Sequence, residues 1–257
     1  MINDIKFVLK RWRIVHALGI SRLRERYARS KLGQLWLTLS NLVLIIVTGI
    51  VWSVIWKMQL DEYLPYVGVG HIIYLFISQT LNESTGIFIA DARYYLNQYM
   101  PFLMSVFTHL YRSTLIFIHN IPIILGLVIW SNSAVVRLNI SFIFSIVLLY
   151  IFLFCNSYSI AAISTRFRDL IQIFGLIFQL AFLVTPVMWQ ISFVPLKYRD
   201  YFMLNPLAAF LEMIRNPFLG IEILKSAYLS AFVWTLISIL ISVIIHKKFD
   251  RKIIFWV

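Results

Sequence analysis

The chain has a single cysteine, Cys155, set inside an apolar run. No intrachain disulfide can form, and a packed thiol is the expectation. Charge is also scarce. Only 13% of the 257 residues are Asp, Glu, Lys or Arg, where a soluble domain carries about a quarter. No Gly-rich phosphate loop of the Walker type is present. The five histidines, His16, His71, His109, His119 and His246, are scattered and make no HExxH pair. Nor do the 11 acidic residues cluster as a hydrolase or transferase site would need. These absences exclude an ATPase site of the chain's own, a zinc-hydrolase site and membrane transferase chemistry. No metal site and no cofactor bound by this chain are expected. If it moves a substrate uphill, the energy comes from a partner or an ion gradient.

Apolar residues are abundant, at 61%. The first 31 residues hold nine of the 23 Lys and Arg against only Asp4 and Glu25, and the 25 residues from Leu32 to Trp56 carry no charge. An uncharged run of that length crosses the roughly 30 Å of bilayer hydrocarbon as a helix. Lys and Arg beside a first span hold that side in the cytoplasm. The leader does not read as a cleavable signal peptide, because its basic region and apolar run are both too long. The formal net charge of +12 sits at the ends of spans, where topology and anionic membrane lipid account for it, so no nucleic acid partner is expected.

Uncharged stretches predict six spans in an all-α integral membrane fold: about Leu35–Trp56, Tyr66–Ala90, Phe102–Trp130, Leu138–Thr165, Ile171–Gln190 and Ser226–His246. They make one transmembrane domain over 1–257. It divides into a basic interfacial helix (1–31), spans one to five (35–190), an extracytoplasmic hairpin (191–225), span six (226–246) and a cytoplasmic tail (247–257). Strands of a barrel would alternate apolar and polar, and Leu42 to Val47 does not. Within 191–225, Leu207 to Ile214 is apolar but bracketed by Asn205-Pro206 and Asn216-Pro217. Eight to ten residues rise only about 15 Å, so this segment is expected to dip in and out as half-helices, buried in protein or lining a cavity. Six spans put both termini in the cytoplasm, with sixteen Lys and Arg on that side and six outside, as the positive-inside rule requires.

At the N-terminus, Ile5, Leu9, Trp12 and Val15 recur at helical spacing while Lys6, Lys10 and Arg13 follow another stripe, which suits a helix lying at headgroup level, apolar side down. Ionisable groups inside spans are few, too few for a proton relay. Glu83 could pair with Arg112 or face a wet cavity. Phe174, Phe178 and Phe182 stand at i, i+4, i+8 in span five, with Trp189 beyond Thr185. They read either as helix packing or as a ring-faced wall on which sugar C–H faces would sit.

The run Arg24-Glu25-Arg26-Tyr27-Ala28-Arg29-Ser30-Lys31-Leu32-Gly33-Gln34-Leu35-Trp36 resembles the segment leading into the first span of polysaccharide-exporting ABC permeases. These are the type 2 exporters of O antigens, capsules and teichoic acids. Phe167-Arg168-Asp169, Thr185-Pro186-Val187 and Asn205-Pro206-Leu207 continue the resemblance in order along the whole chain. It implies a homodimer that recruits two copies of a separate nucleotide-binding ATPase, on which ATP and Mg are held. It implies that the loop after span two, Asp91 to Tyr99, is a short coupling helix in a groove of that ATPase, presenting Asp91, Arg93, Tyr94, Tyr95, Asn97 and Gln98. Spans one and five would line the polymer channel, with Trp52, Phe174, Phe178, Phe182, Thr185 and Trp189 on its wall. Arg168 and Asp169 would occupy a cytoplasmic loop, and Asn205 and Pro206 the outer gate.

The resemblance further implies export of a lipid-linked glycan from cytoplasm to the outer face of a bacterial inner membrane. The glycan's pyrophosphate would meet guanidinium groups of the interfacial helix near Arg24, Arg26, Tyr27 and Arg29. The same arginines serve topology and anionic lipid equally well. A type 2 ABC permease for a lipid or drug is the alternative. An ion-coupled flippase would need more buried charge and more spans.

Overall fold

The computed structural model describes residues 1–27, 33, 35–97, 100–131, 136 and 139–257. Among them all regular structure is helical. α1 (Ile2–Lys10) and α2 (Trp12–Tyr27) precede α3 (Leu35–Trp56) and α4 (Leu60–Ser84). Two short helices, α5 (Ile87–Ala90) and α6 (Ala92–Asn97), lead to α7 (Phe102–Trp130), α8 (Ile140–Arg166) and α9 (Leu170–Val184). α10 (Leu196–Phe202), α11 (Pro206–Leu219) and α12 (Lys225–Ile253) complete the chain. Five of these, α3, α4, α7, α8 and α12, are long and apolar enough to cross a membrane.

α4 is the axis of the bundle. It packs against α3, α7, α8, α9 and α11, and 89% of its most apolar window is buried. Gly68 allows the close approach: a Cβ there would lie 2.3 Å from Leu127 Cδ1 and 2.9 Å from Ile45 Cγ2. The outer helices bury one face only. α12, for example, exposes Leu229, Leu240 and Ile244, as a lipid-facing helix should.

Several boundaries differ from the sequence expectation, each for a local reason. Span two starts at Leu60, because Asp61 and Glu62 sit in its first turn, where the helix dipole favours acids. It stops at Ser84, and the Thr85-Gly86 turn separates α5 from it. The fifth apolar segment is helical only over 15 residues, a rise of roughly 22 Å; Thr185 leaves the helix in an extended conformation. α11 runs through Pro217 and ends at Gly220, whose φ of 67° supplies the left-handed cap. A proline that near a C-terminus forfeits a single backbone bond. α12 continues past His246 to Ile253, so most of the expected tail is helix.

The N-terminal segment breaks at Arg11 into two helices. The break moves the packed face. Val8, Val15 and Leu23 are buried, whereas Leu9 and Trp12 are exposed. Val8 and Val15 pack with Met104 of α7, so this segment is docked on the third long helix as well as basic. At the far end of the chain His246 links back to it: Nε2 lies 3.3 Å from Asp4 and Nδ1 lies 3.2 Å from Asp250. The two termini therefore share one end of the bundle.

Candidate substrate-access and coupling site

At that end, α2 is held tightly on α7. A Cβ on Gly19 would come within 2.6 Å of the Tyr111 ring, His16 Nδ1 is 2.7 Å from the Tyr111 hydroxyl, and Trp12 meets the same ring edge-on at 5.3 Å. Val15, Gly19 and Arg22 are spaced for one helix face, and that face is the inner one. Arg22 accordingly reaches across to the junction of α5 and α6 and donates to the Asp91 carboxylate. Asp91 also accepts from the Ser105 hydroxyl of α7, and Ser105 accepts from the Tyr95 phenol of α6. Asp91, Ser105 and Tyr95 are all buried. Burial, and after it the Asp91 charge, push the Tyr95 phenol up, which keeps it a neutral donor. Four side chains thus join three elements in one hydrogen-bonded chain.

Beside this network lies a cavity of about 520 Å³ between α2, the end of α4, α5–α6 and α7. Arg22, Arg93 and Arg112 line it together with Glu25, Glu83 and Asp91. Arg112 donates to Glu83, so the two sequence alternatives for Glu83 hold together: it is paired and it faces a cavity. The lining is balanced in formal charge. Arg93 lies 5.0 Å over the Tyr94 ring and has no carboxylate partner among the described residues. Above the cavity a polar seam continues between α3, α4 and α7. Asn41 Nδ2 donates to Asn120 Oδ1 at 3.0 Å, and Thr38 donates to the His119 carbonyl. A space of about 20 Å³ beside Asn41, Gln79 and Glu83 is enough for a water molecule.

The sequence expected an access helix and a coupling helix as separate features. The structure brings them to one cavity, through Arg22 rather than Arg24, which is exposed and absent from the lining. Sequence reasoning reached Arg112, as a partner for Glu83, but missed Arg22 on the cavity lining and Ser105 in the Asp91 network beside it. The 15–19–22 spacing was the signal for Arg22. Arg29 and Gln98 lie outside the described residues, as do the side chains of Arg26, Tyr27 and Asn97. Arg168 and Asp169 are exposed between α8 and α9.

At the opposite end, the turn from Thr185 to Trp189 is gripped from three sides. Tyr63 donates to the Met188 carbonyl, Tyr66 to the Trp189 carbonyl at 3.2 Å, and Arg215 Nη1 to the Pro186 carbonyl at 2.6 Å. Asn205 caps α11 by accepting from Leu207 N–H and donates to Thr185 Oγ1 at 3.0 Å. So Thr185-Pro186 and Asn205-Pro206 are one structural unit. Arg215 is buried over the Tyr66 ring, 3.9 Å from its centroid. Glu212, one turn earlier, is buried with neither carboxylate oxygen hydrogen-bonded; Arg215 and Arg199 are the cations whose fields reach it.

The expected channel residues lie along α9 and α3. Phe174 and Phe178 stack 6.3 Å apart, and Phe182 meets His71 and Tyr74 of α4 edge-on. These three rings form the half-buried face of α9, and Leu176, Leu180 and Leu183 form its exposed one. Trp189 does not extend the stripe, because the helix ends before it; its ring packs on Phe202 instead. Trp52 stacks on Trp56, which meets Phe193 of the outer hairpin.

The profile of the ABC-2 type transporter family matches residues 15–219, from within α2 to the end of α11. The chain belongs to that family. It is similar to the O-antigen export system permease protein RfbA of Klebsiella pneumoniae, 23% identical over 227 residues, which are 85% of this chain and 86% of that one. It is also similar to the polysialic acid transport protein KpsM of Escherichia coli, 22% identical over 250 residues, 93% of this chain and 95% of that one. As an ABC-2 member the chain is a multi-pass membrane component of a transporter, and the 520 Å³ cavity and the gripped turn are features of that component.

Proposed function

We propose that this ABC-2 chain is the membrane-spanning subunit of an ATP-driven exporter of a lipid-linked polysaccharide across a bacterial inner membrane. The observation that carries the substrate class is whole-length similarity to two proteins named for O-antigen and polysialic acid transport. In this reading two copies pair, and each recruits a nucleotide-binding ATPase subunit that holds ATP and Mg. α9 with the Thr185–Gln190 segment completes a sixth crossing, and both termini stay in the cytoplasm.

α6 is the coupling helix. When the ATPase pair closes on ATP it displaces α6, and the buried Asp91 network passes that displacement to α2 and α7 together. α2 borders the access cavity, so the stroke changes the shape of the space a glycan-lipid head occupies. Arg93 is the cation best placed to meet a phosphate there, since Arg22 and Arg112 already hold carboxylates. α3 and α9 of the two copies line the conduit, and the Thr185–Trp189 turn with α10–α11 closes its outer end.

The test is complementation. In a glycan-export-deficient strain supplied with the cognate ATPase, the chain should restore surface glycan and co-purify with the ATPase. Restoration without any ATPase, or stable co-purification with no glycan exported, would reject the reading.

A further inference from the structure

Separate from the access cavity, α8 and α12 leave a second cavity of about 410 Å³ whose walls are almost wholly apolar. Ile163, Ile245 and Phe249 form its sides. Its rim is cationic and aromatic. The Arg166 guanidinium lies 5.1 Å from the centroid of Trp256 and 5.3 Å from that of Phe167. Lys248 is not one of the lining residues; its Nζ lies 5.5 Å from the centroid of the lining residue Phe249, which itself packs on Trp256 at 5.8 Å. Neither cation has a carboxylate or hydrogen-bond partner among the described residues. The cavity shares no lining residue with the access cavity.

Its depth is set by sequence. Ala162 and Ile163 belong to a long span, which ends at Arg166. Ile245 closes the apolar part of α12, after which His246, Lys247 and Lys248 begin the charged part. The rim therefore stands where hydrocarbon gives way to headgroups, and tryptophan is at home at that level. Below the rim, Ile163, Ile241 and Ile244 expose apolar surface along both helices. An apolar slot with exposed isoleucines beneath it, the Arg166 guanidinium at its mouth and Lys248 next to its lining residue Phe249 is complementary to an acyl chain joined to a phosphate. Basic pockets between spans bind anionic lipid heads in this manner.

We propose that the α8–α12 cavity binds one anionic phospholipid of the bilayer, its phosphate held by Arg166 and Lys248 and one acyl chain laid between Ile163, Ile245 and Phe249. The aromatic faces of Phe167 and Trp256 hold the guanidinium plane in place while leaving its N–H edge for the phosphate. The site is structural or regulatory and lies off the transport path. It rests on the membrane reading of the fold, and it stands whether the exported cargo is a glycan or something else.

The experiment is native mass spectrometry of the delipidated full chain, titrated separately with phosphatidylglycerol, phosphatidylcholine and undecaprenyl phosphate. One phosphatidylglycerol should bind ahead of any phosphatidylcholine. Arg166→Gln and Lys248→Gln should each weaken that first binding about five-fold, the scale of one basic side chain at an anionic surface. Ile163→Trp, which fills the slot and keeps both cations, should remove it. Lys197→Gln, in the outer hairpin, should leave it unchanged. Equal uptake of phosphatidylcholine, or full binding by the well-folded Arg166→Gln chain, would overturn the proposal. Displacement of phosphatidylglycerol by equimolar undecaprenyl phosphate would also overturn it, by making the slot a cargo site.

Discussion

Arg22 and Asp91, 69 residues apart in sequence, form an ion pair that ties the N-terminal helix to the segment joining the second and third long helices. The carboxylate side chain is 3% exposed and the guanidinium 19%. Losing one partner of so buried a pair costs about 3 kcal/mol, because the other charge is stranded. Arg22→Ala and Asp91→Ala should each lower the thermal midpoint of the purified chain, and the double variant should lie above the sum of their losses. Additive losses would mean that the pair contributes no coupling between α2 and α6.

Tyr94 and Tyr95 are neighbours with different work. Tyr95 is buried and donates to Ser105; Tyr94 lines the cavity with Arg93 over its ring. Tyr95→Phe should destabilise the chain by about 1 kcal/mol, the net worth of one hydrogen bond, in a melting experiment. Tyr94→Ala should leave stability unchanged and lower glycan export and ATPase stimulation at least several-fold. Loss of export with unchanged ATPase stimulation would move Tyr94 from coupling to substrate contact.

Arg215 is the strongest hold on the Thr185–Trp189 turn. Replacing it with Met removes a charge-assisted bond worth about 2 kcal/mol and the contact with Tyr66. In an Arg215→Met background, Met188→Cys should react with a membrane-impermeant maleimide markedly faster than in the parent chain. An unchanged labelling rate would show that the tyrosines alone hold the turn.

The Gly19–Tyr111 approach leaves no room for a side chain. Gly19→Leu should lift α2 from α7, seen as faster hydrogen exchange over 12–27 with little change in α8 or α12. Protection equal to the parent would mean that α2 is held by its other contacts.

Phe178→Ala removes a ring from the half-buried face of α9, and Trp189→Ala removes one that packs on Phe202. If these rings border the conduit in the assembled transporter, both variants reach the membrane at parent levels and lose surface glycan. Normal display in both would reduce the rings to packing.

Much of this architecture was legible from charge and apolar runs. The first and third spans have the boundaries that composition predicts, the first stopping at Trp56 before Lys57 and the third opening at Phe102 just after Pro101. Beyond the Glu83–Arg112 pair, what composition could not reveal was long-range pairing. Asp91 reads as an exposed loop acid until Arg22 and Ser105 converge on it. The stripe Ile5–Leu9–Trp12–Val15 assumes one continuous helix; the break at Arg11 divides it, so that Ile5 and Val15 pack on the bundle while Leu9 and Trp12 stay exposed. Trp189 was aligned with the phenylalanines by helical spacing, and the extended backbone at Thr185 removes that alignment. In each case a local pattern was sound, and a break in the backbone or a distant partner decided its direction.

In the proposed mechanism, force from a partner ATPase reaches an export path through α6. Proteoliposomes holding the purified chain, with and without the ATPase, can be loaded with lipid-linked glycan and supplied with ATP and Mg. Glycan translocation is expected only when chain, ATPase and ATP are all present, and is expected to be lost in Asp91→Ala. Translocation by the chain alone, or ATP-driven movement of a lipid or drug with the glycan left behind, would refute this mechanism.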